Sequence, residues 1–197
     1  MAVAPWRAAY AQFGAKPSKF RSSIESLLRS AQSGRLRSIS PLVDLYNTVS
    51  LRHQLPCGGE DLQAIVGDVA LTRATGGEPF RTIGAEADDP PLAGEVIYAD
   101  AVGAICRCFN WREADRTKLT EATTNAVLVI ETLGSHQQGQ LEAALIDLAT
   151  LVGEHLGGQL RTVILSRDEP VVASARAGRL PQHRTHPGAL SRPARAS

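Results

Sequence analysis

The chain is short of the residues that announce chemistry most openly. It has three cysteines, one methionine and two tryptophans among 197 residues, and aromatics make up only 5%. Three cysteines (Cys57, Cys106 and Cys108) build neither a disulfide framework nor a zinc motif, and the five histidines (His53, His136, His155, His183 and His186) fall at no metal-ligand spacing. No metal and no cofactor is therefore expected, and no nucleophile elbow is present. Cys106 and Cys108 stand two apart in the strand-like run AICRCF, which directs both to one sheet face as small core-filling thiols. Cys57 lies in Pro-Cys-Gly-Gly, which reads as a turn with an exposed thiol. Its only sequence-local base is His53, and it is assigned no nucleophilic role. No run approaches the roughly 18 apolar residues of a membrane helix. The N-terminus lacks the charged-then-apolar pattern of a secretion signal. The expectation is a cytoplasmic protein with no membrane partner.

With 43% hydrophobic residues the chain can bury one good core, built from Leu, Val, Ile and Ala rather than rings. Its formal charge of +1 conceals an asymmetry. Residues 1–166 carry 15 basic and 18 acidic side chains, whereas 167–197 carry 6 and 2, so a body of −3 is followed by a tail of +4. Residues 1–166 are expected to form one domain. The Arg-, Pro-, Ala- and Ser-rich stretch 167–197 is expected to be a disordered basic tail, either a solvated end or a source of nonspecific RNA affinity. The body is no obvious polyanion binder.

Periodicity places the elements. Ser18 is a candidate cap for a helix over Lys19–Ser33, striped by Phe20, Ile24, Leu27, Leu28 and Ala31 and stopped by Gly34. Ser40-Pro41 opens a second helix running to about Leu51. Val69–Ala74 and Pro79–Ile83 flank Thr75-Gly-Gly as a hairpin, and Glu95–Ala99 and Ala104–Phe109 form another. Ala126–Glu131 is a β-branched strand, Leu141–Leu156 a helix ended by Gly157-Gly158, and Leu160–Leu165 a last short strand. Without strict βαβ alternation, the fold class is α+β: a single mixed-sheet domain with flanking helices.

Two segments interrupt this pattern with hydrogen-bonding groups. In SPLVDLYNTVSL (Ser40–Leu51), Asp44 and Asn47 share a helix face. In NWREADRTKLTEATTN (Asn110–Asn125), Arg112, Glu113, Asp115, Arg116 and Lys118 crowd a loop between two strand-like runs, where binding groups commonly sit. A capped helix and a salt-bridged turn would explain the same residues.

Taken in order, KPSKFRSS (Lys16–Ser23), SPLVDLYNTVSL, LPCGGEDLQAIVGDVALTRA (Leu55–Ala74), GEVIYAD (Gly94–Asp100) and CRCFNWREADRTKLTEATTNAVLVIE (Cys106–Glu131) resemble a free-standing B3/B4-domain protein over roughly Trp6 to Leu165. That domain also occurs in the β subunit of bacterial phenylalanyl-tRNA synthetase, where it hydrolyses tyrosine wrongly attached to phenylalanine tRNA. Likeness to the synthetase domain is confined to the VDLYN, GED and TEATTN neighbourhoods. The resemblance implies a trans-acting aminoacyl-tRNA deacylase that uses a positioned water, with the aminoacylated end of tRNA as partner. The alternatives are a non-catalytic module that binds tRNA or an amino acid, and a small-molecule function unrelated to tRNA.

Asp44 and Asn47 match a Val-Asp-x-x-Asn pocket pattern, and Asp61 matches an Asp of the synthetase. The synthetase's pocket histidine aligns with Gly58, which leaves Glu60 as the replacement that orients water or pairs with a substrate amine. No residue inherits the pocket glutamate cleanly, and Asp115 is the best positional match. The resemblance thus names Glu60, Asn47 and Asp115 as catalytic. Asp44, Asp61, Trp111, Arg112 and Arg116 are named for binding, with Trp111 stacking on an adenine or anchoring its loop. Arg112 would hold a phosphate or pair with Asp115. Lys16, Lys19 and Arg21 crowd the start of the first helix, where they would grip an RNA backbone or form a solvated face.

Overall fold

A computed structural model of the chain describes residues 3–173. The elements run α1 Val3–Gln12, α2 Ser23–Gln32, α3 Pro41–His53, β1 Cys57–Asp61, β2 Ala70–Arg73, β3 Val96–Ala99, β4 Ala104–Arg107, β5 Arg112–Glu113, β6 Ala126–Ile130, a 3-10 turn Ser135–Gln137 and α4 Gln138–His155. The class is α+β. The strands make two antiparallel sheets in place of one mixed sheet: a ribbon β1-β6 and a four-stranded sheet β2-β3-β4-β5. The described residues to Thr162 form one compact unit, and those from Val163 belong to another. In the second unit, the described residues include a turn in which Ser166 Oγ accepts the N–H groups of Asp168 and Glu169. Residues 174–197, most of the expected tail, lie outside the described residues.

Apolar spacing explains the helices. On α3, Val43, Tyr46 and Val49 recur at three and bury against Ala144, Leu148 and Val152 of α4, with Leu55 and Cys57 beneath them. Ser40 precedes Pro41 at the start of α3, and Gln54 ends the helix in the left-handed region at φ 52°. Asp147 of α4 accepts from Arg52 and from the His53 ring, which ties the two helices at their polar rim. The α1 helix was not visible as a pattern in the sequence. Its Trp6 and Tyr10, four apart, bury with Ile24 and Cys108 in a second cluster.

Several sequence expectations need correction. The α2 cap is Ser22, whose Oγ accepts the Glu25 N–H, and not Ser18. Residues 16–20 form a turn, closed by Lys19 and Phe20 N–H bonds to the Lys16 carbonyl, because Phe20 packs edge-on against Trp111 from outside the helix. Residues 79–83 do not pair with β2. Gly76 and Gly77, both at positive φ, turn the chain away, Glu78 caps the turn through the Thr75 and Gly76 N–H groups, and Phe80 buries under the larger sheet. The partner of β2 is β3. Leu160–Leu165 forms no strand, and its Leu160, Val163, Ile164 and Leu165 are exposed.

The largest correction is Pro56-Cys-Gly-Gly, which is no turn: Cys57–Asp61 is strand β1. The glycines are there because neighbours come close. A Cβ on Gly59 would stand 2.5 Å from the Leu128 side chain, and one on Gly58 would stand 2.9 Å from Glu113 Oε1. Cys57 is consequently buried instead of exposed. Burial pushes its thiol up to about 12 against the opposing effect of Ser50, and raises Cys106 and Cys108 as well. Cys108 lies beyond β4 in the left-handed region, at φ 44°, so it does not continue the strand face of Cys106. The native protein should therefore give no rapid reaction with a thiol-specific disulfide reagent, and three equivalents once unfolded in guanidinium. One fast-reacting thiol in the native state would contradict this burial.

A buried acid pair as candidate functional site

Strand register assembles the site. Tyr98 on β3 pairs with Cys106 on β4, and Cys106 with Glu113 on β5, so the three form a cross-strand row on one face of the larger sheet. On the ribbon, Gly58 and Glu60 alternate with Cys57 and Gly59; Cys57 packs toward α3 and α4, so Gly58 and Glu60 occupy the opposite face. The two faces meet where the Glu113 carboxylate sits over the bare backbone of Gly58. The buried Glu60 therefore lies beside the half-buried Glu113, with the Tyr46 phenol of α3 close enough to feel both charges.

This is an expensive place for carboxylates. Glu60 is 7% exposed, and its Oε2 and the Thr117 Oγ1 are buried without a hydrogen-bond partner of normal geometry. Burial first, then repulsion from Glu113, push Glu60 up to about 9; Thr117 and Arg116 oppose the shift. Burial pushes Glu113 up to about 7, and the Gly59 N–H opposes it. At neutral pH Glu60 holds its proton while Glu113 is poised to exchange one, which separates a proton donor from a proton acceptor in one cluster. Burial also raises Glu131 to about 7, although it accepts from the Tyr98 phenol at 2.6 Å and from the Asn110 amide. Through Asn110, which accepts from Tyr10 and from the Ser23 N–H, Glu131 joins β6 to α1 and α2.

These raised values fix a pH trend for stability. Each of the three carboxyls binds its proton more tightly folded than unfolded, where the ordinary value is 4.5. Their contribution is complete below pH 4.5 and is lost as pH rises through about 7 for Glu113 and Glu131 and about 9 for Glu60. At constant ionic strength, the thermal midpoint should be lower at about pH 9 than at about pH 6, and Glu60→Gln should shrink that difference. A midpoint that is level or rising over this interval would mean the acids are not buried as described.

The residues named from the sequence fall in different places. Glu60 is in the cluster. Asn47 is half-buried on α3 beside Tyr46, and no side-chain hydrogen bond holds it among the described residues. Asp44 accepts from Ser38 Oγ and from the Ile39 N–H, closing the entry to α3. Asp61 accepts from the Gln63 N–H at 2.8 Å and from Thr123 Oγ1 at 2.7 Å, tying the end of β1 to the loop before β6. Asp115 is half-exposed and bonded to Lys118. The Lys118 hydrogen bond, with the Gly84 N–H, holds its carboxyl below the usual range, so Arg112 has no ion pair with it. Arg112 instead lies over the Trp111 ring, at 5.2 Å. Arg116 forks onto Asp100 and donates a third bond to the Ala64 carbonyl. Trp111 is half-buried between Phe20 and the Arg107 and Arg112 guanidinia. Lys16 and Arg21 are exposed on the turn before α2, apart from this cluster.

Thr117 and Glu131 carry no signal of their own in the sequence, and Glu113 stands out there only as one of the charged residues of its loop. Two adjacent glycines inside a run that must cross the core were the available signal, because a strand gives up side chains only where something else fills the space. Among the described residues, no group of three His, Cys, Asp or Glu side chains is placed to hold a metal ion, and no helix is long and apolar enough to cross a membrane.

A family model described as the B3/4 domain matches residues 5–143. No curated protein matches the chain.

Proposed function

The chain belongs to the B3/4 domain family, and from that premise we propose that it acts on aminoacyl-tRNA as a trans-acting deacylase. The family supports a tRNA-related, editing-type role; ester hydrolysis is the finer reading. The observation that carries it is the Glu60–Glu113 pair, a buried and a half-buried carboxyl that strand register brings to one place, with both proton affinities raised. Hydrolysis of an ester needs a base that takes a proton from water and an acid that gives one to the leaving oxygen. In this reading Glu113 takes the water proton as the water oxygen bonds to the ester carbonyl carbon. Protonated Glu60 gives its proton to the ribose oxygen as the C–O bond breaks, and transfer from Glu113 to Glu60 restores the pair. Asn47, whose amide is uncommitted among the described residues, is assigned to orient the substrate or the water.

The test is direct. A panel of tRNAs, each carrying a wrong amino acid, is incubated with the wild-type protein and followed for loss of the ester. Faster loss than in buffer for one or more members is expected. No acceleration for any member sinks the hydrolytic reading.

A second reading has its own support. Asp44, Asp61, Asp115 and Arg116 are all engaged in intramolecular hydrogen bonds, as in a scaffold that binds without reacting. On that reading the chain binds tRNA or an amino acid and leaves the ester intact, and the same panel then shows retention of charged tRNA without cleavage.

A further inference from the structure

Away from the acid pair, three arginines from separate parts of the chain converge on a single carboxylate. Glu25 of α2 has a side chain only 3% exposed. Arg7 of α1 donates to it through Nε at 3.0 Å and Nη2 at 2.5 Å, and Arg29 donates through Nε at 3.2 Å. Arg21 stands 3.9 Å from the same carboxylate, beyond hydrogen-bond reach. The Arg7 hydrogen bond above all, with Arg29 assisting against burial, holds the Glu25 carboxyl below its usual range, so it stays ionised. Three guanidinium groups against one carboxylate leave two positive charges, on a body whose sequence to Ser166 totals −3.

One arginine fork already satisfies Glu25, so neutralising that acid explains Arg7 and leaves the other two cations over. The same three arginines, with Pro17 and Ser18, line a cleft of about 320 Å³, and no acid is among its lining residues. Each guanidinium carries five N–H donors, and most remain after Glu25 has taken its share. Planar forks held in place by a buried counter-ion match the oxygens of a phosphate, and their fixed geometry lowers the entropy lost on binding. We propose that this cleft is a phosphate-binding site, held by Arg7, Arg21 and Arg29, with Glu25 as the post that positions two of them. The phosphate would come from an RNA backbone or from a small free phosphate. The site uses none of the acid-pair residues, and it stands whether or not the chain cleaves an ester.

The first probe is inorganic phosphate, added at constant ionic strength while the arginine Nε–H signals are followed by NMR. Saturable shifts confined to Arg7, Arg21 and Arg29 are expected, with affinity at least about fivefold weaker in Arg21→Ala. Arg21 makes no hydrogen bond to Glu25, so that variant should keep the wild-type thermal midpoint; Ser18→Ala is the companion variant on the cleft rim. The second probe is a short RNA duplex with no amino acid attached. Binding weakened by Arg21→Ala in step with phosphate identifies the RNA backbone as the source, and phosphate binding with RNA affinity unchanged identifies a small phosphate. Absence of saturable shifts, equal shifts from chloride, or undiminished phosphate affinity in folded Arg21→Ala would each overturn the proposal. Neither probe contains an ester, so the result is independent of the deacylation assay.

Discussion

Glu95→Ala is expected to destabilise the domain by about 3 kcal/mol, the low end for breaking a buried pair, because Asp89 stays as an exposed second counter-ion. Arg107 is 3% exposed and Glu95 6%, and they meet as a two-pronged pair with both N···O distances at 2.9 Å. Arg107 also donates to the Asp89 carbonyl at 2.7 Å, pairs with the exposed Asp89 carboxylate at 2.6 Å and lies over the Phe80 and Trp111 rings. Glu95 does more than neutralise it. Its Oε1 accepts the Cys108 N–H at 2.8 Å, where the chain leaves β4 through two consecutive left-handed residues, Cys108 and Phe109. Those conformations are unfavourable for side-chain-bearing residues, and the carboxylate helps hold them. Removing Glu95 therefore leaves a buried guanidinium and a strained turn without their common partner. For a domain of this size the thermal midpoint should fall by roughly 6–12 °C. The double change Glu95→Ala with Arg107→Met should recover part of the loss, because the guanidinium then no longer sits in the interior without its buried partner. Burial alone would raise the Glu95 carboxyl, but the Arg107 hydrogen bonds and the Cys108 N–H outweigh it and hold it below the ordinary 4.5. Its contribution is thus present above pH 4.5 and lost as pH falls through the lowered value, opposite in sign to the Glu60 trend. A single variant with a midpoint within about 2 °C of wild type would show that the pair is not the tie described.

In the acid pair, Glu60→Gln and Glu113→Gln should each lower deacylation by roughly 10–1000-fold, the range for a lost proton-transfer or orienting group. Both glutamines keep the shape of the acid. Glu60 is protonated at neutral pH and gains little from its charge there, so stability should change by no more than about 1–2 kcal/mol. Asn47→Ala should also slow the reaction while leaving the fold intact. Asp115→Asn should have a smaller effect on rate, because Lys118 and Gly84 already hold that carboxylate on the outside. If Asp115→Asn abolished activity and Glu113→Gln did not, the roles assigned from the geometry would be reversed. Cys57→Ala serves as the control; its buried thiol is assigned no part, and loss of activity there would require a thiol route.

How much of this was readable from the chain varies with the physical signal. The helices α3 and α4 and the strands β3, β4 and β6 follow from periodicity and β-branched runs, which report local packing directly. Strand β1 was hidden because glycine marks both turns and close approaches, and only the tertiary neighbours Glu113 and Leu128 decide between them. The pairing of 79–83 is ambiguous in the sequence for a related reason: Thr75-Gly-Gly does turn the chain, but register depends on where Phe80 buries. Glu60 is named from the sequence only by resemblance, and the fold puts it next to Glu113. The choice between Glu113 and Asp115, two positions apart in a charged loop, depends on the β4-β5 register, which charge spacing does not encode. The arginine cleft needed the fold as well, since Arg7 and Arg29 lie on different helices and meet only at Glu25.

The most direct test of the acid pair is the pH dependence of kcat/KM for ester loss from a mischarged tRNA that the wild-type protein accepts, with the buffer rate subtracted. A bell is expected, rising through about pH 7 as Glu113 loses its proton and falling through about pH 9 as Glu60 loses its own. Glu113→Gln should remove the rising limb and Glu60→Gln the falling one. A rate above buffer that shows neither limb, or a profile that both variants leave unchanged, would contradict the assignment of this chemistry to Glu60 and Glu113.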